Sequence, residues 1–201
     1  MIKILPLFNN EENLVKALKR AEPKAQRQLY DKYAARMLAV CRRYVMDDME
    51  AEDVMIGGFM KVFEKMEQFK SEGSFEGWVR RIMVNEALMA VRKTKGKETD
   101  YDTDEMEQLP DCQWADQNLE ANDLMKIIET LPTGYQTIFN LYAIEGYSHA
   151  EIAQTLGITE STSKSQLHRA RGWLQEKITL IEKNTRRRFG TDSTINFATG
   201  L

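Results

Sequence analysis

Apolar residues recur along this chain at spacings of three and four, in stretches that read as separate helices. From Glu22 to Val45, the residues Leu29, Tyr33, Met37, Val40, Cys41 and Tyr44 fall on one side, with Pro23 tolerated in the first turn. Asp47 and Asp48 break that pattern and can cap a helix from about Met49 to Met66, whose apolar face is Val54, Met55, Phe59, Val62, Phe63 and Met66. The Gly57-Gly58 pair inside it costs about 1 kcal/mol per Gly relative to Ala, which close approach by another helix would explain. A loop, Glu67 to Ser74, precedes a helix from Phe75 to Lys93 capped by Ser74. Trp78, Ile82 and Leu88 or Met89 serve its core, and Arg80, Arg81, Asn85, Arg92 and Lys93 give it a basic side. That side suits a nucleic acid, or is a surface helix that happens to be basic.

Helical periodicity returns at Asn118–Leu131, ends before Pro132, and resumes over Tyr135–Ile144. Next comes a pair of helices joined by a very short turn, Gly146 to Lys177. Ser148 and Glu151 form a capping box, Ile152, Ala153 and Leu156 a narrow apolar face, and Gly157 a left-handed stop. Thr159 can cap the second helix, where Leu167, Ala170, Leu174 and Ile178 follow at helical spacing. This is a helix-turn-helix pattern. Turning about 100° per residue from Leu167 puts Ser161, Thr162, Ser165 and Arg169 on the opposite face, with Lys164, Gln166 and His168 on its flanks. Hydroxyls with Arg, Gln and Lys suit base edges and phosphates, although a solvated amphipathic helix shows the same pattern.

Charge favours the first reading. Between Ser161 and Arg188, eight Lys and Arg residues face only Glu176 and Glu182. The net charge of −3 hides this segregation, because Glu98 to Asp123 holds ten acidic residues and no Lys or Arg. Such a stretch repels itself into extension; it could mimic a nucleic-acid backbone or serve as a solubilising spacer. The expected fold is therefore all-α. Two small helical domains, residues 10–94 and 119–182, are joined by an acidic flexible linker, 95–118. The second is a four-helix domain ending in the helix-turn-helix, and a tail, 183–201, is expected to be disordered.

Cys41 and Cys112 lie far apart without ligand-like spacing to His149 or His168, so free thiols in a reducing cytoplasm and no metal site are expected. No apolar run approaches the ~20 residues that span a bilayer, and none near the N-terminus makes a convincing signal peptide. Nucleophile triads, phosphate loops and carboxylate-histidine helices are absent from the sequence. An enzyme, a cofactor and a small-molecule substrate are accordingly not expected.

Three motifs in order resemble the sigma factors of bacterial RNA polymerase, sigma-70 family, extracytoplasmic-function (ECF) group, over about Ala21 to Ile178. They are Ala51-Glu52-Asp53-Val54 with its apolar helix; Gly73-Ser74-Phe75 with Trp78, Arg80, Arg81, Ile82, Asn85 and Arg92-Lys93; and Leu131-Pro132 followed by Lys164-Ser165 with Leu167-His168-Arg169-Ala170-Arg171. The resemblance implies that the first domain is region 2-like and the second region 4-like. It places Asp53, Ile56, Gly57, Phe59 and Met60 against the beta-prime clamp helices of core polymerase. Phe69, Ser71, Phe75, Trp78, Arg80, Arg81, Asn85 and Arg92 would hold the opened minus-10 element. Ser161, Thr162, Lys164, Ser165, Gln166, His168 and Arg169 would read the minus-35 element. The beta flap and an anti-sigma factor are further implied partners. About 25 extended linker residues reach ~80 Å, against ~70 Å for two duplex turns. The chain departs from the family pattern at Ile56 and Gly57, where Gln and an acid are frequent, at Ser163, where an apolar residue is usual, and at Gln166, where Arg is common. A sigma mimic acting by protein contact, and a stand-alone helix-turn-helix regulator, are the competing readings.

Overall fold

The computed structural model describes residues 8, 10–95 and 121–189, and every regular element among them is helical. The chain divides into two compact units, 1–98 and 99–201.

The first unit begins with a helix that sequence reasoning missed, α1 (Glu11–Lys19). Asn10 caps it by accepting from the Asn13 N–H at 2.8 Å, and Leu14, Val15, Ala17 and Leu18 are buried. Its acidic first turn and basic last turn suit the helix dipole. Then come α2 (Pro23–Arg42), α3 (Asp48–Glu64), a 3-10 turn (Met66–Gln68) and α4 (Phe75–Lys95). Asp47 caps α3 through the Glu50 N–H (2.8 Å), and Ser74 accepts from the Gly77 N–H (3.2 Å) at the start of α4.

Helices α2, α3 and α4 pack pairwise, with α1 against α2 and the 3-10 turn. Leu29, Tyr33, Met37, Val62, Phe75, Val79 and Met83 are almost wholly buried between them. The glycine pair splits in role: a Cβ on Gly58 would strike the Met83 sulfur of α4, whereas one on Gly57 meets nothing. Leu88, not Met89, joins the core; Met89 is exposed. Cys41 is a buried free thiol, and burial pushes its pKa up to about 12, so it is chemically quiet.

In the second unit α5 (Ala121–Glu129), α6 (Thr133–Phe139) and α7 (His149–Leu156) each pack against α8 (Glu160–Phe189). Its 30 residues make α8 ~45 Å long. Ile138, Leu141, Ile152, Ala170 and Leu174 form the centre of the core. After α6 the chain widens into one π turn (Asn140–Ile144), closed by the Glu145 N–H donating to the Asn140 carbonyl, five residues back, at 2.9 Å. The tail needs correction, since α8 continues through Arg186–Arg188 to Phe189 and is not disordered from Lys183. Residues 96–120, with most of the acidic linker, and 190–201 lie outside the described residues.

Candidate nucleic-acid and polymerase interfaces

The helix-turn-helix is held by local hydrogen bonds. The Ser148 hydroxyl accepts from the Glu151 N–H (3.2 Å) and the Glu151 carboxylate accepts from the Ser148 N–H (2.9 Å), completing the expected box. Gly157 is left-handed at φ 72°, and its N–H and that of Ile158 both reach the Ala153 carbonyl, at 2.9 and 3.1 Å. The Thr159 hydroxyl accepts from the Thr162 N–H at 3.0 Å, starting α8. With both ends of the turn fixed, the roll of α8 is set by what it buries.

Ser161, Lys164, Ser165 and His168 are exposed, and Thr162 and Arg169 are half-buried. Gln166 corrects the expectation: it is only 2% exposed and offers no side chain to a groove. Because both α6 and α7 pack on α8, the covered arc widens to take in Ser163 and Gln166 beside Leu167 and Ala170. Lys164 lies 3.7 Å from Glu160, an exposed pair that holds the ammonium only weakly.

Ser163 is fully buried, and its hydroxyl is 2.8 Å from His149 Nδ1. The His149 ring stacks on Tyr142 from the π turn (4.6 Å between centroids), and the Arg171 guanidinium lies over the same Tyr142 ring at 5.7 Å. Burial lowers the His149 pKa below 6.5; Lys164 and Arg171 lower it further, and Glu160 opposes them. A depressed folded-state pKa means that the stabilisation by His149 is complete above 6.5 and is lost as pH falls through the lower folded value. Thermal denaturation of the wild type should therefore show a falling midpoint below pH 6.5, and His149→Gln should remove that component. An unchanged pH profile in the variant would contradict it.

In the first unit, a cavity of about 410 Å³ opens between the loop after α3 and the start of α4, lined by Phe69, Lys70, Gly73, Ser74, Trp78 and Arg81, among others. Ser71, at the loop's tip, takes a left-handed φ of 60°, a conformation costly for a residue with a Cβ. Lys19 Nζ donates to the Phe69 carbonyl (3.0 Å), tying α1 to this loop. Phe69 and Phe75 are buried; their rings lie 5.1 Å apart, and each faces half-buried Trp78, at 5.3 and 6.0 Å. Phe75 therefore builds the cavity's support and offers no ring to a ligand, which corrects its expected role as a contact. Along α4, Trp78, Arg81, Asn85 and Arg92 share one face by their three-, seven- and fourteen-residue offsets, and exposed Met89 joins it. Arg80 projects from a different side.

On α3, Asp53, Ile56 and Met60 form an exposed row, with Ile56 50% and Met60 57% accessible and Gly57 beside them. Phe59 is turned inward against Tyr30 (5.1 Å), so its expected surface contact is also corrected. Exposed Met49 extends the row by about one turn beyond Asp53 and was missed, although its seven-residue offset from Ile56 was legible. Among the described residues no group of acidic, His or Cys side chains could hold a metal ion, and no helix is long and apolar enough to cross a membrane.

Comparison with known proteins fits this geometry. The family model "Sigma-70 region 2" matches residues 29–97 and "Sigma-70, region 4" matches residues 121–174. The chain is 32% identical to the ECF RNA polymerase sigma factor SigE of Mycolicibacterium smegmatis over 74% of this chain, and spans 60% of that relative's length. It is 26% identical to the ECF RNA polymerase sigma-E factor of Haemophilus influenzae over 84% of this chain and 95% of the relative. The sigma factor RpoE of Bartonella quintana, solved in complex with the anti-sigma factor NepR, shares the fold (TM-score 0.50, 24% identity, 76% of this chain and 96% of that one). With a region 2 unit and a region 4 unit in that order on one chain, the protein belongs to the ECF group of the sigma-70 family, a sigma factor for transcription initiation.

Proposed function

We propose that this protein directs core RNA polymerase to promoters by reading the minus-35 element with α8 and holding the separated minus-10 strand on α4. The observation that carries this reading is the cavity beside Trp78 and Arg81, on the same face of α4 as Asn85 and Arg92. An unpaired base needs a stacking ring and a hollow, and its strand needs cations alongside. Trp78, the hollow and the two arginines supply these together. In the second unit, Lys164, Ser165, His168 and Arg169 face the minus-35 duplex, Lys164 on phosphate and Arg169 on a base. The α3 row of Asp53, Ile56 and Met60 docks on the beta-prime clamp helices, the region 4 unit meets the beta flap, and an anti-sigma factor restrains the protein in the cytoplasm.

Paired substitutions test the DNA part. Arg169→Ala should weaken promoter binding by ~1–3 kcal/mol and leave a scrambled duplex nearly unaffected. Lys164→Ala should weaken both alike and lower the salt slope by about one. Trp78→Ala and Asn85→Ala should impair transcription from duplex promoters more than from templates already opened by mismatch. Equal loss on promoter and scrambled DNA for Arg169→Ala, or equal impairment on both templates, would refute the assigned roles.

A further inference from the structure

The reading of the minus-35 element by α8 leaves open what fixes that helix in its reading position. Apolar contacts alone allow a helix to roll by small amounts, because they are non-directional. Two directional contacts fasten α8 on its buried side. At its first turn the Ser163 hydroxyl meets His149 Nδ1 at 2.8 Å. Eight residues further on, ~12 Å along the axis, the Arg171 guanidinium lies over the Tyr142 ring. The two are one assembly, because the His149 ring stacks on that same Tyr142 ring.

Both outer members come from α8, and both inner members come from the segment before and at the start of α7. Tyr142 sits in the π turn, whose extra residue shifts the side chains that follow it. His149 follows Ser148, so the capping box fixes its backbone. Lys164, Ser165 and His168 lie on α8 between the two fastening points.

We propose that His149 is a positioning residue for minus-35 recognition, holding the first turn of α8 in register through the Ser163 hydroxyl while stacked on Tyr142. This rests on the reading of α8 as the minus-35 helix. A hydroxyl at 163, where the family usually carries an apolar residue, is then the partner that His149 requires. A ring of this size in a half-buried site bonds a buried hydroxyl that would otherwise lose hydrogen-bonding capacity on leaving water. Charged groups around the ring are Lys164, Arg171 and Glu160.

The test uses the full-length protein bound to core polymerase. Its probes are a duplex spanning the strongest start found by run-off transcription, and the same duplex with the segment around minus 35 scrambled. The readout is the ratio of the two affinities. His149→Ala and Ser163→Ala should each lower that ratio by about three- to tenfold, the range of one hydrogen bond. The double variant should be no worse than either single one, because the two act as a unit. His149→Gln, whose amide can stack and still bond the hydroxyl, should recover most of the ratio. In parallel, nitrogen NMR on the two histidines of the chain should show His149 moving on Ser163→Ala and His168 staying.

A wild-type protein that does not distinguish the duplexes would sink the minus-35 reading and this proposal with it. A discriminating wild type whose variants lose thermal stability but keep the ratio would overturn the positioning role alone. Additive losses in the double variant, or no movement of His149, would do the same.

Discussion

Phe75→Ala is expected to destabilise the region 2 unit by about 3–5 kcal/mol, the range for deleting a fully buried aromatic ring. Phe75 has no exposed surface and stands among Tyr33, Phe69 and Trp78, with ring centroids 5.1 to 6.4 Å away. Its removal takes out apolar burial and leaves three rings facing a void that helices cannot close by small shifts. Since whole domains are stable by roughly 5–15 kcal/mol, this loss should bring the unit close to unfolding at growth temperature. Urea denaturation followed by circular dichroism measures it. A cost under about 1 kcal/mol would mean that the aromatic cluster is not continuous with the core. The functional consequence follows from position: Phe69 and Trp78 line the cavity, and the ring that both rest on is Phe75.

The second large effect lies on the opposite kind of surface. Ile56 and Met60 are half or more exposed on α3, so Ile56→Asp with Met60→Asp should leave the fold within about 1 kcal/mol of wild type. In the proposed docking of that row on polymerase, two buried carboxylates without partners should cost at least ~2 kcal/mol, hence a loss of affinity of thirtyfold or more. Titration of labelled protein with core polymerase reads this directly. Unchanged affinity would remove α3 from the proposed interface. The row is apolar at Met49, Ile56 and Met60, with Asp53 set among them.

These two cases show where sequence was legible. Caps and stops are local, so Asp47, Ser74, Ser148, Gly157 and Thr159 could be read from residue type and spacing, and each makes the bond expected of it. Periodicity also gave the core face of α8 through Leu167, Ala170 and Leu174. It could not give the width of that face, which depends on how many neighbours a helix has. For that reason Gln166 was placed on a flank and is in fact buried, whereas Phe59 and Phe75, given surface contacts only by the family resemblance, lie in the core. Helix α1 escaped because nine residues carry too few repeats to stand out, although Asn10 and the charge order at its ends were visible. The His149–Ser163 contact joins residues fourteen positions apart across the helix-turn-helix, and the Tyr142 ring stacked on His149 comes from a π turn that no local rule announces. The sequence reading left the glycine pair unresolved, although Gly58, three residues after Met55 and four before Val62, lies on the apolar face and Gly57 opposite it.

Run-off transcription with core polymerase on fragments of the source genome, with and without the protein, tests the central claim most directly. Discrete start sites that appear only with the protein, preceded by shared minus-35 and minus-10 sequences, are the predicted result. Binding to core polymerase without any specific transcript would contradict promoter recognition and would make the chain a mimic acting by protein contact.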